Sequence, residues 1–237
     1  MNKIIIANWK SNPKTLEEAQ ELFRAEVAAA DRHLEVGTVI CPPPAFLEEL
    51  AKIDQRYLGA QDIDTPETLK SFGASHVLVG HSDRRYGLGE TDEVINKKIK
   101  EVLEAGIVPV LLIGERNKEE SIEDILSDQL TKDLTGLSSE QVSKILFAYE
   151  PVWAISTNPG GQADTPENAL AAIRFINDFL TKNYKLKTIN YLYGGSVNEK
   201  NVGDFLQHPE ISGAIIGKAS LDLNQFSKIL KIVSNIN

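Results

Sequence analysis

Short apolar runs alternate with amphipathic stretches along the whole chain. Apolar runs closed by polar or turn-forming residues are typical of strands that are buried on both faces. A pattern of helical length follows most of these runs. One such helix opens with Thr165-Pro166-Glu167, which supplies an N-cap threonine and a proline at the first helical position. The predicted strands are residues 4–7, 38–41, 57–60, 76–79, 108–113, 145–149, 188–193 and 213–216.

This alternation of strands and helices indicates an α/β protein with a parallel sheet. Eight such units in 237 residues, without a linker or low-complexity break, favour one domain (residues 1–237) folded as a closed (β/α)8 barrel. An open doubly wound sheet would normally carry a Gly-rich turn after its first strand, but this chain has Ala7-Asn-Trp-Lys10 there. The predicted helices are one that begins near Thr15, one over 46–52, a short one that ends near Phe72, two over 92–105 and 121–134, one that begins at Thr165, one over 199–206 and one at the end of the sequence.

Charge and composition exclude several classes of partner. The formal net charge of −9 argues against nucleic acid or an anionic membrane, because both require a basic face. Cys41 is the single cysteine, so an internal disulfide is impossible and a reducing compartment is expected. The N-terminus lacks a signal-peptide pattern and no apolar run reaches membrane-spanning length. We therefore expect a cytoplasmic protein.

In a barrel, the residues that follow each strand form the catalytic face. Asn8 and Lys10 follow the first predicted strand, His81 follows the fourth and Glu150 follows the sixth, where Pro151 ends the strand. Each has an ordinary alternative: a solvated lysine, a hydrogen-bonded histidine at a strand end, and a carboxylate that caps a helix or pairs with an arginine. Together, a cation, an imidazole and a carboxylate on one face are suited to acid–base chemistry.

Two turns rich in small residues follow the last two predicted strands. Tyr193-Gly-Gly-Ser196 follows the seventh and Gly217-Lys-Ala-Ser220 follows the eighth. Either could be a plain tight turn, but exposed backbone N–H groups at this place in a barrel commonly bind phosphate. No cluster of His, Asp or Glu has the spacing of metal ligands on one element, so we expect no metal site.

Five segments in order along the chain resemble the signature blocks of the triosephosphate isomerase family. This resemblance implies a cofactor-independent isomerase of glycolysis and gluconeogenesis that interconverts dihydroxyacetone phosphate and D-glyceraldehyde 3-phosphate. The segments are Ala7-Asn-Trp-Lys10, Gly80-His-Ser-Asp-Arg-Arg85, Ala148-Tyr-Glu-Pro-Val-Trp-Ala154, Tyr193-Gly-Gly-Ser-Val197 and Gly217-Lys-Ala-Ser-Leu221.

The resemblance also implies a role for individual residues. Glu150 would be the base, with Lys10 and His81 stabilising an enediolate and Asn8 orienting Lys10 and the substrate. Residues 153–164 would form a lid. Backbone groups near Ser156, Ser196, Gly217 and Lys218 would hold the phosphate, Tyr193 and Ser196 would latch the lid, and Ser82, Asp83, Gly194 and Gly195 would support the site.

The chain departs from the family pattern at a surface used for dimerisation. The segment 61–69 is much shorter than the family's third loop, which inserts into a second subunit. Ser11 stands where the family usually has a methionine packing under that loop. Loss of the protruding loop and a more polar socket fit together, since an exposed apolar socket would promote aggregation. We therefore expect a monomer or an altered oligomer.

Further departures lie within the site itself. Asp83 replaces a glutamate and should loosen the contact with Lys10 by about an ångström. Ser156 and Lys218 each replace a glycine, and the lid is longer than usual. Lys218 would either add a cation near the phosphate or crowd it. These changes predict a turnover below that of a dimeric relative. They also leave two alternatives open: an isomerase of another short sugar phosphate, such as a tetrose or tetrulose phosphate, and a weakly active, silent or engineered barrel.

Overall fold

The computed structural model describes residues 2–63, 65–156, 158, 161–187 and 190–236. Within these ranges seven parallel strands form one sheet in the order β2-β1-β7-β6-β5-β4-β3. The start of the predicted strand 188–193 lies outside the described residues. The strands are β1 (Ile4–Asn8), β2 (Gly37–Cys41), β3 (His76–Val79), β4 (Val108–Ile113), β5 (Leu146–Tyr149), β6 (Tyr191–Tyr193) and β7 (Ile211–Ile216).

The sheet closes through the segment 57–60, the predicted third strand. Leu58 pairs with Ile40 of β2 and Ala60 pairs with Val77 of β3, each as a single parallel bridge. The Gly59 N–H donates to the Ile40 carbonyl at 2.8 Å, and the Ala60 N–H donates to the His76 carbonyl at 2.9 Å. The segment therefore fills the position between β2 and β3. The α/β class and the (β/α)8 barrel are confirmed, with a narrow seam in place of a full third strand.

The helices lie outside the barrel and begin close to where their patterns predict. Most start behind a side-chain cap: Thr15, Thr91, Ser121, Thr165 and Asp222 each accept a hydrogen bond from an N–H of the first turn. No helix in the described ranges is long and apolar enough to cross a bilayer. The helices are α1 (Leu16–Ala30), α2 (Leu47–Ala51), α3 (Pro66–Ser71), α4 (Asp92–Glu104), α5 (Ile122–Asp133), α6 (Ser139–Val142), α7 (Pro166–Tyr184), α8 (Val202–Leu206) and α9 (Leu223–Ser234).

Two helical elements differ from the sequence prediction. The helix predicted over 199–206 begins at Val202, because the side chains of Asn198 and Asn201 bind backbone groups of the preceding turn. The short helix α6, with a capping box between Ser138 and Gln141, was not predicted. Its four residues are too few to show a helical period.

Two hydrophobic layers explain why the strands read as continuous apolar runs. On β4, Val110 and Leu112 belong to the cluster inside the barrel, whereas Leu111 and Ile113 belong to the layer between strands and helices. Neighbouring side chains of a strand point to opposite faces, so both faces here are covered. The polar residues at the carboxyl ends of the strands are therefore left at one rim.

Candidate active site

A cavity of about 300 Å³ opens at the carboxyl ends of the strands. It contains nearly all of the residues that the sequence assigned to catalysis and phosphate binding. The lining residues are Asn8, Lys10, His81, Glu150, Ile155, Ser156, Gly194, Gly195, Ser196, Val197, Asn198, Ile215, Gly217, Lys218, Ala219 and Gln225.

Glu150 is placed at this rim by the end of β5. Its backbone N–H donates to the Ile113 carbonyl of β4 at 2.8 Å, which continues the sheet by one residue before Pro151. The neighbouring backbone comes very close, since a Cβ at Gly114 would lie 2.1 Å from the Glu150 carbonyl oxygen. The side chain is buried and its Oε2 accepts a hydrogen bond from the Ser82 N–H at 2.8 Å. Ser82, which was expected to support the site, therefore contacts the Glu150 carboxylate through its backbone N–H.

The hydrogen bonds around His81 define the form of its imidazole. Nδ1 lies 3.0 Å from the Asp83 N–H, which can only donate, so Nδ1 is the acceptor. The other nitrogen, Nε2, then carries the proton and lies 3.2 Å from Oε1 of Glu150. His81 therefore presents a neutral Nε2–H to the cavity, directly beside the carboxylate.

Lys10 has a backbone conformation that L-residues rarely adopt, with φ of 52°. The left-handed region costs a non-glycine residue roughly 1–2 kcal/mol, and such strain persists only where the surroundings hold it. Three contacts do so here. The Lys10 N–H donates to Asn8 Oδ1 at 3.0 Å, the Lys10 carbonyl accepts from Gln61 Nε2 at 2.8 Å, and Nζ lies 3.1 Å from Asp83 Oδ2.

The expected loosening between Asp83 and Lys10 is not found. Asp83 begins a π-helical turn, and its N–H is bound to His81 Nδ1. This arrangement brings the shorter carboxylate within 3.1 Å of the ammonium. The backbone position of Asp83 thus makes up for its shorter side chain, and the ion pair with Lys10 forms.

The far end of the cavity carries the small-residue turns. Ser196 Oγ accepts a hydrogen bond from the Ser156 N–H at 2.6 Å, which joins the start of the predicted lid to the turn after β6. Gly217 and Lys218 follow β7, where a 3₁₀ turn runs from Lys218 to Leu221. Lys218 lines the cavity at this end and is exposed.

Tyr193 does not line the cavity. Its ring is fully buried beneath the turn, stacked on Phe205 with ring centres 4.1 Å apart. Its hydroxyl donates to Asp164 Oδ2 at 3.0 Å, at the end of the predicted lid. A Cβ at Gly195 would lie 2.2 Å from this hydroxyl, so the turn requires glycine there. Within the lid, Thr157, Pro159 and Gly160 lie outside the described residues.

Sequence reasoning missed two supporting residues. Glu115, almost fully buried, accepts hydrogen bonds from Trp153 Nε1 at 2.6 Å and from the Tyr149 hydroxyl at 2.8 Å. Burial raises the pKa of its carboxyl. The strand-end rule that identified Glu150 applies equally to Glu115, which follows β4. Gln61 at the end of the seam binds both Lys10 and the Cys41 carbonyl, and only its position after a strand could have indicated it.

A buried ion pair supports the rim below His81. The Arg85 guanidinium donates to the Gly80 carbonyl at 2.8 Å and pairs with Asp133 at 2.5 Å and Asp92 at 2.6 Å. Burial raises the pKa of Asp133 to about 7. Among the described residues, no group of three or more His, Cys, Asp or Glu side chains is arranged to hold a metal ion.

Comparison with known proteins agrees with this geometry. The family model described as triosephosphate isomerase matches residues 3–233. Triosephosphate isomerase of Aquifex aeolicus is 38% identical, over 97% of this chain and 99% of that protein, and that of Dictyoglomus thermophilum is 36% identical, over 97% and 98%. The crystal structure of triosephosphate isomerase from Bartonella henselae superposes with a TM-score of 0.83 at 30% identity, covering 98% of this chain and 99% of that one. The chain belongs to the triosephosphate isomerase family.

Proposed function

We propose that the chain catalyses the reversible interconversion of dihydroxyacetone phosphate and D-glyceraldehyde 3-phosphate, with Glu150 as the base. One observation carries this assignment: the Glu150 carboxylate, the neutral His81 Nε2–H and the Lys10 ammonium meet in one small cavity. Membership of the family supports the same reaction.

Glu150 removes a proton from the carbon beside the substrate carbonyl. The electron pair of that C–H bond forms a carbon–carbon double bond, and the carbonyl π electrons move onto oxygen, which gives an enediolate. Lys10 and the His81 Nε2–H stabilise this negative charge, and fixed donors of this kind typically contribute ~10²–10³ in rate. His81 then passes a proton between the two oxygens, and Glu150 returns its proton to the neighbouring carbon. A carboxylate base paired with a neutral imidazole is the known pattern of this family.

The phosphate would bind at the far end of the cavity. Its donors would be backbone N–H groups near Ser156, Ser196 and Gly217, with Lys218 adding positive charge. Anion binding at such turns is common in barrels of this type. The protein as a whole is acidic, so this local arrangement is what would attract a phosphorylated substrate.

Residues 153–164 would act as a lid that closes over the bound substrate. Trp153 contacts Glu115 at one end of this segment, Asp164 contacts Tyr193 at the other, and Ser156 contacts Ser196 over the cavity. Closing the lid would exclude water and protect the enediolate from loss of phosphate.

The enzyme would work as a monomer or an altered oligomer, in the cytoplasm and without a cofactor. The segment after the seam is tied to its own chain, since Asp62 forms ion pairs with Arg84 and Lys98 at 2.5 Å. Helix α3 then begins at Pro66. Light scattering should give the mass of one chain. The mass of a dimer, with catalytic faces packed together, would contradict this proposal.

The activity is tested by a coupled assay for glyceraldehyde 3-phosphate formation with the wild type and Glu150→Asp. Shortening the side chain withdraws the carboxylate by about an ångström, so kcat should fall by about 10²-fold. Glu123→Asp makes the same chemical change on the exposed face of α5 and should leave kcat unchanged. An inactive wild type, or a Glu150→Asp variant as fast as the wild type, would refute the assignment.

A further inference from the structure

A buried carboxyl group on α1 has no part in the mechanism above. Glu26 is fully buried, and the indole N–H of Trp9 lies 3.1 Å from each of its two carboxyl oxygens. The other buried residues of this helix are apolar: Ala19, Phe23, Ala29 and Ala30. Glu26 is therefore the polar residue on the otherwise hydrophobic buried face of α1, and it contacts the Trp9 side chain there.

A carboxyl group at this position carries a cost that leucine would not. Burial raises the pKa of Glu26 well above its ordinary value, because the charged carboxylate is disfavoured in an apolar layer. Burial therefore favours the protonated form of this carboxyl group, which accepts the indole N–H. Residues that break the local hydrophobic pattern in this way are commonly found where function requires them.

The indole held by Glu26 belongs to the residue before Lys10. Trp9 is fully buried, and its ring meets Phe23 edge-on with centres 6.4 Å apart. Its backbone N–H donates to the Cys41 carbonyl at 3.1 Å, so both the backbone and the side chain of Trp9 are fixed. The strained Lys10 follows directly, and Gln61 holds its carbonyl on the other side.

We propose that Glu26 is a positioning residue for Lys10: by holding the Trp9 indole, it fixes one side of the strained residue and so aims the Lys10 ammonium into the cavity. This inference rests on the proposed isomerase activity. Without Glu26 the indole N–H loses its acceptor, and Trp9 can move. With one side of the strained residue loosened, the Lys10 ammonium shifts within the cavity while the contacts with Asn8, Gln61 and Asp83 remain.

The test compares Glu26→Leu with Glu26→Gln in the isomerase assay. Leucine removes the acceptor, and kcat/KM should fall by about 10- to 100-fold, as expected when a catalytic group moves by an ångström or less. Glutamine is neutral and keeps a carbonyl acceptor, so it should retain kcat/KM within about threefold of the wild type. Trp9→Phe removes the donor instead and should reproduce the loss caused by leucine. It serves as the second variant if Glu26→Leu does not fold.

A double-mutant cycle with Lys10→Met separates positioning from general damage to the core. In the Lys10→Met background, Glu26→Leu should lower kcat/KM by less than about twofold, because the group it positions is absent. Val102→Ala, a core truncation near the end of α4 distant from the cavity, is the control for lost packing and should leave kcat/KM unchanged.

Two results would overturn the proposal. One is a folded Glu26→Leu variant with the kcat/KM of the wild type. The other is an equal loss in the presence and absence of Lys10. An inactive wild type would instead refute the isomerase assignment, so the two failures are distinguishable.

Discussion

The close approach of Gly114, which follows β4, to the backbone carbonyl of Glu150 makes Gly114→Ala an informative perturbation. An alanine Cβ would lie 2.1 Å from the Glu150 carbonyl oxygen and 2.6 Å from its carbonyl carbon. Real Cβ atoms essentially never approach other atoms within 3.0 Å, so the two backbones must separate by roughly 0.9 Å. The neighbouring atoms are backbone, which cannot rotate away as a flexible side chain could. Glu150 must therefore move.

The expected loss follows from that displacement. Misplacing a catalytic group by about 1 Å costs about 10²-fold, equivalent to about 2.7 kcal/mol of barrier. The same overpacking should lower the free energy of unfolding by about 1–3 kcal/mol. Steady-state assays in both directions measure kcat, and calorimetry measures the stability of the same samples.

The control is Gly203→Ala in α8, where the new Cβ would lie 3.6 Å from Ile232 Cγ2, an ordinary contact. It should leave kcat unchanged and raise the stability by roughly 0.5–1 kcal/mol, because alanine is preferred over glycine within a helix. A Gly114→Ala variant with kcat within about threefold of the wild type would show that the action of Glu150 does not depend on the close approach at Gly114.

Three further predictions concern the lid and the rim. Gly195→Ala should force the Tyr193 ring out of its stack on Phe205, since the new Cβ would lie 2.2 Å from the Tyr193 hydroxyl. Both kcat and Tm should fall, and the free energy of unfolding measured by calorimetry should drop by about 1–3 kcal/mol. An unchanged Tm would contradict this. Trp153→Phe keeps an aromatic side chain but removes one of the donors to Glu115, so kcat should fall by about tenfold while the chemical denaturation curve shifts little. Turnover equal to that of the wild type would separate that contact from lid closure. Asp133 has its pKa raised from 3.8 to about 7 by burial, so the folded state holds a proton that the unfolded state releases. The stability of the wild type relative to Asp133→Asn should therefore decline as pH rises from about 4 to about 7, and a pH-independent difference in Tm would refute the assignment.

The candidate catalytic groups could be located from the sequence because the barrel places residues at strand ends by a positional rule. Glu150 follows an apolar run directly and His81 follows one after Gly80, and the carboxyl ends of all strands meet at one rim. The strands were equally readable, because both of their faces are buried and most of their residues are apolar. The cavity could therefore be assembled from residues that lie far apart in the chain.

What the sequence did not reveal depends on contacts between distant segments. The seam 57–60 reads as a strand like the others, and its reduction to two bridges is decided by β2 and β3. Glu115 is fixed by Trp153 and Tyr149, which arrive from elsewhere. Glu26 did leave a local signal, since it occupies a helical stripe with Ala19, Phe23 and Ala30. A lone carboxylate in such a stripe resembles a surface residue until the indole opposite is known.

The narrow closure of the barrel has a consequence for its fluctuations. The seam 57–60 has one bridge to each neighbour, whereas β1 pairs along most of its length with both β2 and β7. Local openings should therefore begin at the seam, and its amide protons should exchange with solvent long before those of β1. Gln61 is the next residue, so each opening would also release the Lys10 carbonyl. Local opening of the barrel and a brief loss of activity would then occur together.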